Sequence, residues 1–224
     1  METVERKGPQ ALRTPRAAGL VGIVFAVLLA AAIILIRLAI PSEPSSGGSS
    51  WVSDPSRRRT VQTALDLIPF AGIFFLWFMG AVRARIGEAE DQFLATVFLG
   101  SGLLFVATLF GAAAAAGSLL VTAGSSGADS HLELRVFGQH FTYSLLTTYA
   151  MRMAAVFVFS TSSIGRRLGV LPRWLSLLGY LVALTLLLAS DSIAWSELVF
   201  PMWALVVSLY ILVASSRPRR VIDQ

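Results

Sequence analysis

Residues 18–40 read AGLVGIVFAVLLAAAIILIRLAI and contain a single charged side chain, that of Arg37. An apolar helix of about 20 residues is long enough to cross the hydrocarbon core of a bilayer. Five further apolar runs follow, at about 61–82, 93–122, 137–160, 172–190 and 194–214. The runs are continuous rather than alternating, which favours helices over membrane strands. The sequence therefore predicts an all-α bundle of six transmembrane helices.

The composition of the whole chain agrees with this prediction. Apolar residues make up 55% of the 224 residues and charged residues only 14%, whereas about a quarter of a soluble domain is charged. The chain cannot bury so much apolar surface in one water-soluble core, so we expect the lipid bilayer to be its solvent. It contains no Cys, which excludes disulfides, thiolate metal sites and cysteine nucleophiles.

The segments outside the apolar runs are short and polar. We expect residues 1–17 and 217–224 to form tails, and residues 18–216 to form the membrane domain. Residues 41–59 (PSEPSSGGSSWVSDPSRRR) are rich in Ser, Gly and Pro, as is typical of a flexible loop. Within them, Asp54 before Pro55 is typical of a helix N-cap. The first run exceeds the ~7–15 apolar residues of a signal peptide, so we expect a retained anchor.

The distribution of cations predicts the orientation. If the N-terminus is inside, twelve Lys and Arg residues fall on the inner side, and four (Arg57, Arg58, Arg59 and Arg135) fall on the outer side. Cytoplasmic loops carry an excess of cations, so both termini are predicted to be cytoplasmic. The net charge of +5 comes from short clusters between apolar runs, and not from a basic stripe, so we expect no nucleic-acid partner.

Ionisable residues within the apolar runs are the first candidates for function, because they are costly in lipid. They are Asp66, His140, Arg152 and Glu197. The fourth run adds a polar stripe: His140, Ser144, Thr148 and Arg152 recur every four residues, with Tyr143 and Thr147 beside them. Such spacing places side chains on one helix face. Two interpretations stay open, namely hydroxyl groups that join neighbouring helices and the lining of a ligand or ion pathway.

Two prolines predict helix kinks near the acidic residues. Pro69 follows Asp66 by three residues, and Pro201 follows Glu197 by four. A proline frees a backbone carbonyl one turn earlier, so each acid with its freed carbonyl could attract a cation or the imidazole of His140. The alternative is that the prolines only bend the helices and the acids lie at the headgroup level.

Small residues in the third run predict close helix packing. Ala107, Gly111 and Ala115 recur every four residues, and Gly117 closes the segment Gly-Ala-Ala-Ala-Ala-Ala-Gly. Small residues at this spacing let two helix backbones approach closely in lipid. The contact could lie inside the bundle or between two molecules.

Known catalytic and nucleotide-binding motifs are missing from the sequence. It has no G-x-x-x-x-G-K-[ST], no H-E-x-x-H and no G-x-S-x-G, and only two histidines. We therefore expect no cofactor, no metal and no catalytic residue.

Two stretches resemble a known class of proteins. They are IPFAGIFFLWFMGAVRARIGEAEDQFLATVFLGSGLLF (68–105) and IGRRLGVLPRWLSLLGYL (164–181), together a quarter of the chain. They resemble small polytopic membrane proteins of uncharacterised bacterial, in particular actinobacterial, families. The resemblance implies a helical protein of the bacterial plasma membrane and implies no activity.

The sequence thus predicts a multi-pass membrane protein without enzymatic activity, acting as an accessory or partner-binding subunit. Its expected partners are the lipid bilayer and another membrane protein or a second copy of itself. One alternative is transport of a small solute or proton along the polar stripe. A second is a lipid-active enzyme that uses Asp66 and His140 as an acid–base pair.

Overall fold

The structure, a computed structural model, describes residues 15–39, 54–86, 92–122, 132–188 and 195–216. These ranges are almost entirely helical and contain no strand. The helices are α1 (Pro15–Ala39), α2 (Pro55–Ile86), α3 (Gln92–Thr122), α4 (Leu132–Tyr143), α5 (Met151–Arg167), α6 (Arg173–Leu188) and α7 (Val199–Ser216). A π-helical segment, Ser144–Ala150, joins α4 to α5, and a 3-10 turn, Ser196–Leu198, precedes α7. The predicted all-α fold class is confirmed. Most of both predicted tails and of the 41–59 loop lies outside the described residues.

Four helical stretches of the described ranges are long and apolar enough to cross a membrane. They are Ala17–Ala39, Pro55–Ala84, Gln92–Val121 and Ser196–Ser215, and they indicate a membrane protein. Helix α6 has 16 residues and is about 24 Å long, short of a hydrocarbon core of ~30 Å. Length and composition therefore support four of the six predicted spans.

The start of α2 follows from its first residues. Asp54 Oδ1 accepts a hydrogen bond of 2.9 Å from the backbone N–H of Ser56, and Pro55 is the first helical residue. Proline suits this position because its missing N–H would have no partner in the helix. The predicted N-cap is confirmed.

The centre of the bundle is a cluster of phenylalanines, one from each of five helices. Phe25, Phe75, Phe105, Phe157 and Phe200 are all fully buried. The ring of Phe75 lies 4.9 Å from Phe25, 5.0 Å from Phe105 and 4.9 Å from Phe157, between ring centroids. Lipid provides no hydrophobic driving force between helices, so such tight and tilted ring contacts carry much of the packing.

Helix α1 packs closely along α2 and α7, and its glycines make this possible. A Cβ on Gly22 would overlap the hydroxyl of Ser208 in α7 and lie 2.6 Å from the ring of Phe78 in α2. A Cβ on Gly19 would lie 2.9 Å from the carbonyl oxygen of Ser208. The missing side chains let the α1 backbone touch α7 directly.

Helices α2 and α3 run in opposite directions, and the bundle has two ends. At one end the guanidinium of Arg58, near the start of α2, donates to the carbonyl of Leu120, near the end of α3, at 3.1 Å. We call this the Glu197 end, because α7 also starts there. At the opposite end Gly169, with φ at 66°, ends α5 and turns the chain into α6.

The π-helical segment interrupts the longest helical stretch of the described chain. Its buried residues are Thr147 and Ala150. The hydroxyl of Thr147 donates to the carbonyl of Tyr143 at 2.9 Å, and a side chain bonded in this way competes with the α-helical pattern. A π-helix contains more residues per turn than an α-helix, and single π-helical turns are frequent at functional sites.

Candidate functional site

An ion pair between α1 and the 3-10 turn is the most buried charged contact of the described residues. Arg37 Nη2 donates to Glu197 Oε1 at 2.5 Å, although the two residues lie 160 positions apart in sequence. The side chain of Glu197 is 3% exposed and that of Arg37 20%. Because each charge neutralises the other, the pair makes both side chains tolerable within a membrane.

The backbone before α7 is arranged to turn Glu197 inwards. Trp195 adopts the left-handed conformation, with φ at 68°, which costs a bulky residue about 1–3 kcal/mol. The N–H of Leu198 bonds the carbonyl of Trp195 at 3.0 Å and closes the 3-10 turn. Pro201 lies in the first turn of α7, where its missing N–H leaves the preceding turn free to depart from α-helical geometry.

An aromatic ring covers the ion pair on one side. The Cζ atom of Arg37 lies 6.0 Å from the ring centroid of Trp195, at the limit of a cation–π contact. On the other side, Glu197 Oε2 is buried and accepts no hydrogen bond from any described residue. The carboxylate is therefore satisfied on one oxygen only.

The other ionisable candidates lie at exposed positions. Asp66 is exposed on α2, three residues before Pro69, which lies inside that helix. His140 is exposed on α4, and Arg152 is exposed on α5. No hydrogen bond within the described ranges joins Asp66 to His140. The structure thus buries Glu197 and leaves the other three on the outside of the bundle.

The polar stripe lies on the outside of the bundle along α4, the π-helical segment and α5. Tyr143 is 53% exposed and Tyr149 57%, and His140, Ser144 and Arg152 are exposed as well. We call these five residues the polar face. Of the two remaining predicted members, Thr147 is buried and Thr148 half-buried. The rings of Phe137 and Phe141 stack at 6.1 Å next to His140, so one end of the polar face is aromatic.

The predicted small-residue contact of α3 has few neighbours in the described chain. A Cβ on Gly111 would have its nearest neighbour, the Cδ1 atom of Leu145, at 3.8 Å, and one on Gly117 would meet nothing described within 4 Å. Ala107 is exposed, and Ala115 is half-buried.

Sequence reasoning assigned no role to Arg37, although it named Glu197. The sequence feature that could have predicted the ion pair is that Arg37 and Glu197 are isolated charges, each near the end of an apolar run long enough to cross a bilayer. Isolated charges of opposite sign in a membrane domain tend to pair with one another. The π-helical segment Ser144–Ala150 had no signal in the hydrophobic pattern.

No protein-family model, no curated protein and no solved structure matches the chain. Within the described ranges, no three His, Asp or Glu side chains come together as a metal site. The arrangement contains one neutralised ion pair, held inside, and one polar surface, directed outwards.

Proposed function

We propose that this chain is a multi-pass protein of a bacterial plasma membrane that binds another membrane protein as a non-enzymatic accessory subunit. The observation that carries the proposal is the exposure of the polar face, including Tyr143 and Tyr149 at more than half of their surface. An exposed polar face in a lipid-embedded bundle is costly, and burying it against a partner removes the cost.

The energetic argument rests on the two tyrosines and on His140, which are all exposed on the polar face. Histidine and hydroxyl groups that bond across two helices recover about 0.6–2 kcal/mol each. The partner is therefore a transmembrane helix with hydrogen-bond acceptors facing Tyr143 and Tyr149.

The proposed topology places this surface within the bilayer. With six spans and both termini in the cytoplasm, the Glu197 end faces outwards, in agreement with the excess of cations on the inner side. The helix from residue 132 to 167 then crosses the bilayer, and His140 lies nearer the outer side than Arg152.

The alternative functions have less support. Transport along Asp66, His140, Arg152 and Glu197 needs a shared path, but three of these side chains are exposed and Glu197 is bonded to Arg37. The enzymatic alternative needs a contact between Asp66 and His140. The geometry therefore favours partner binding over both.

Photo-crosslinking from the polar face tests the proposal. A benzophenone amino acid replaces Tyr149, and in a matched control it replaces Trp77, which is 59% exposed on α2. We expect a discrete protein adduct from position 149 only, mapping to a transmembrane segment. Tyr143→Phe removes one exposed hydroxyl and should lower the yield about threefold, which corresponds to about 0.6 kcal/mol.

Two results would overturn the proposal. One is the same set of adducts from positions 149 and 77, and the other is an adduct at position 149 with lipid alone.

A further inference from the structure

Three buried polar groups from three helices have no hydrogen-bond partner among the described residues. They are the Ser162 hydroxyl of α5, the Ser176 hydroxyl of α6 and the Trp203 indole N–H of α7. Both serines are 0% exposed, and Trp203 is 2% exposed. Unpartnered buried polar groups are rare in native structures, and each calls for an explanation.

Two of the three groups lie beside Gly179 in α6, and the third lies on the same helix. A Cβ on Gly179 would overlap the hydroxyl of Ser162 and lie 3.1 Å from Trp203 Nε1. Ser176 precedes Gly179 by three residues on the same helix, so both lie on one helix face. The missing side chain of Gly179 leaves space beside the helix, and polar atoms from α5 and α7 enter that space.

Other buried serines of this bundle donate to the backbone of their own helix, whereas Ser162 and Ser176 do not. The hydroxyls of Ser101, Ser160 and Ser208 each donate to the carbonyl four residues earlier, at 2.7, 2.9 and 2.7 Å. The carbonyl four residues before Ser162 is that of Val158 in the same helix, and the one before Ser176 is that of Pro172, which already accepts from the N–H groups of Leu175 and Ser176. Neither serine hydroxyl bonds its carbonyl.

We propose that Ser162, Ser176 and Trp203 form a binding site for one buried water molecule. An indole N–H only donates, whereas a hydroxyl both donates and accepts. A water can therefore accept from Trp203 and bond both serines, which gives it the two to four partners that buried waters have.

The bound water would connect α6 to the rest of the bundle by polar contacts. Helix α6 already packs on α5, and Leu171 in the turn between them lies against Gly165. The indole of Trp203 stacks on Phe200 at 6.5 Å, so the site borders the phenylalanine cluster. This site is separate from the polar face and does not depend on the proposed function.

Infrared difference spectroscopy with isotope-labelled water tests the site. In the full chain reconstituted in lipid, we expect an O–H stretching band that shifts to lower frequency in H₂¹⁸O. The band should be lost in Ser162→Ala and in Ser176→Ala. The matched control is Ser160→Ala, which removes a buried hydroxyl already bonded to the Val156 carbonyl and should leave the band in place.

A second measurement reads the indole directly. In a variant with the other four tryptophans changed to Phe, ultraviolet resonance Raman spectroscopy reports whether the Trp203 N–H is hydrogen-bonded. We expect a bonded N–H that becomes free when both serines are replaced by Ala. A free N–H in the starting variant overturns the proposal. A bonded N–H without any ¹⁸O-sensitive band also overturns it, because the indole would then be bonded directly to a serine.

Discussion

At the residue scale, the ion pair of Arg37 and Glu197 combines burial with incomplete hydrogen bonding. One carboxylate oxygen is bonded, and the other is buried without a described partner. A buried pair of this kind is weak evidence for net stabilisation, because desolvation offsets the Coulomb attraction. Removing one partner is nevertheless costly, since the remaining charge stays inside the bundle.

Glu197→Gln tests this asymmetry. We expect the variant to lose about 2–4 kcal/mol of unfolding free energy, below the upper end for fully buried pairs because Arg37 is partly exposed. Arg37→Leu combined with Glu197→Leu should regain most of the loss, since no unpaired charge remains. Reversible unfolding in mixed detergent micelles measures both, and a Glu197→Gln variant as stable as the parent chain contradicts the prediction.

At the scale of helices, the positions of the glycines decide how closely two neighbouring helices pack. The sequence pattern directed attention to α3, where Gly111 and Gly117 have open surroundings in the described chain. A close contact lies at Gly22 of α1, against Ser208 and Phe78. Spacing alone does not reveal which small-residue face meets a neighbour, because that depends on the order of helices around the bundle.

Gly22→Ala should therefore destabilise the bundle through overpacking, by about 1–3 kcal/mol. Gly80→Ala in α2 is the matched control, because a Cβ there meets nothing described within 4 Å, and it should have little effect. Adding Ser208→Ala to Gly22→Ala removes the hydroxyl that the new methyl group would overlap, and should restore part of the stability. Thermal unfolding in detergent compares the three variants with the parent chain, and equal losses for Gly22→Ala and Gly80→Ala would disprove the packing argument.

At the scale of the whole molecule, composition and continuous apolar runs were sufficient to predict an all-helical membrane protein. They were not sufficient for contacts between distant segments. The pairing of Arg37 with Glu197 depends on α1 lying beside α7, and no local pattern contains that information. Four-residue spacing in the fourth run could not predict that His140 and Arg152 are both exposed on the outside of the bundle.

The number of membrane crossings is a property of the whole chain, and the turn between α5 and α6 decides it. If α4 to α6 cross the bilayer twice, residue 170 lies in the cytoplasm; if they do not cross, it lies outside. The second arrangement would move Arg166, Arg167 and Arg173 to the outer side, against the positive-inside rule.

Because the chain contains no Cys, single-cysteine variants report sidedness without background. We expect a membrane-impermeant maleimide to label Ser46→Cys in intact cells, but to label Val170→Cys and Asp223→Cys only after lysis. Labelling of Val170→Cys in intact cells, with Asp223→Cys still protected, would establish four crossings and leave α4 to α6 on the outer surface.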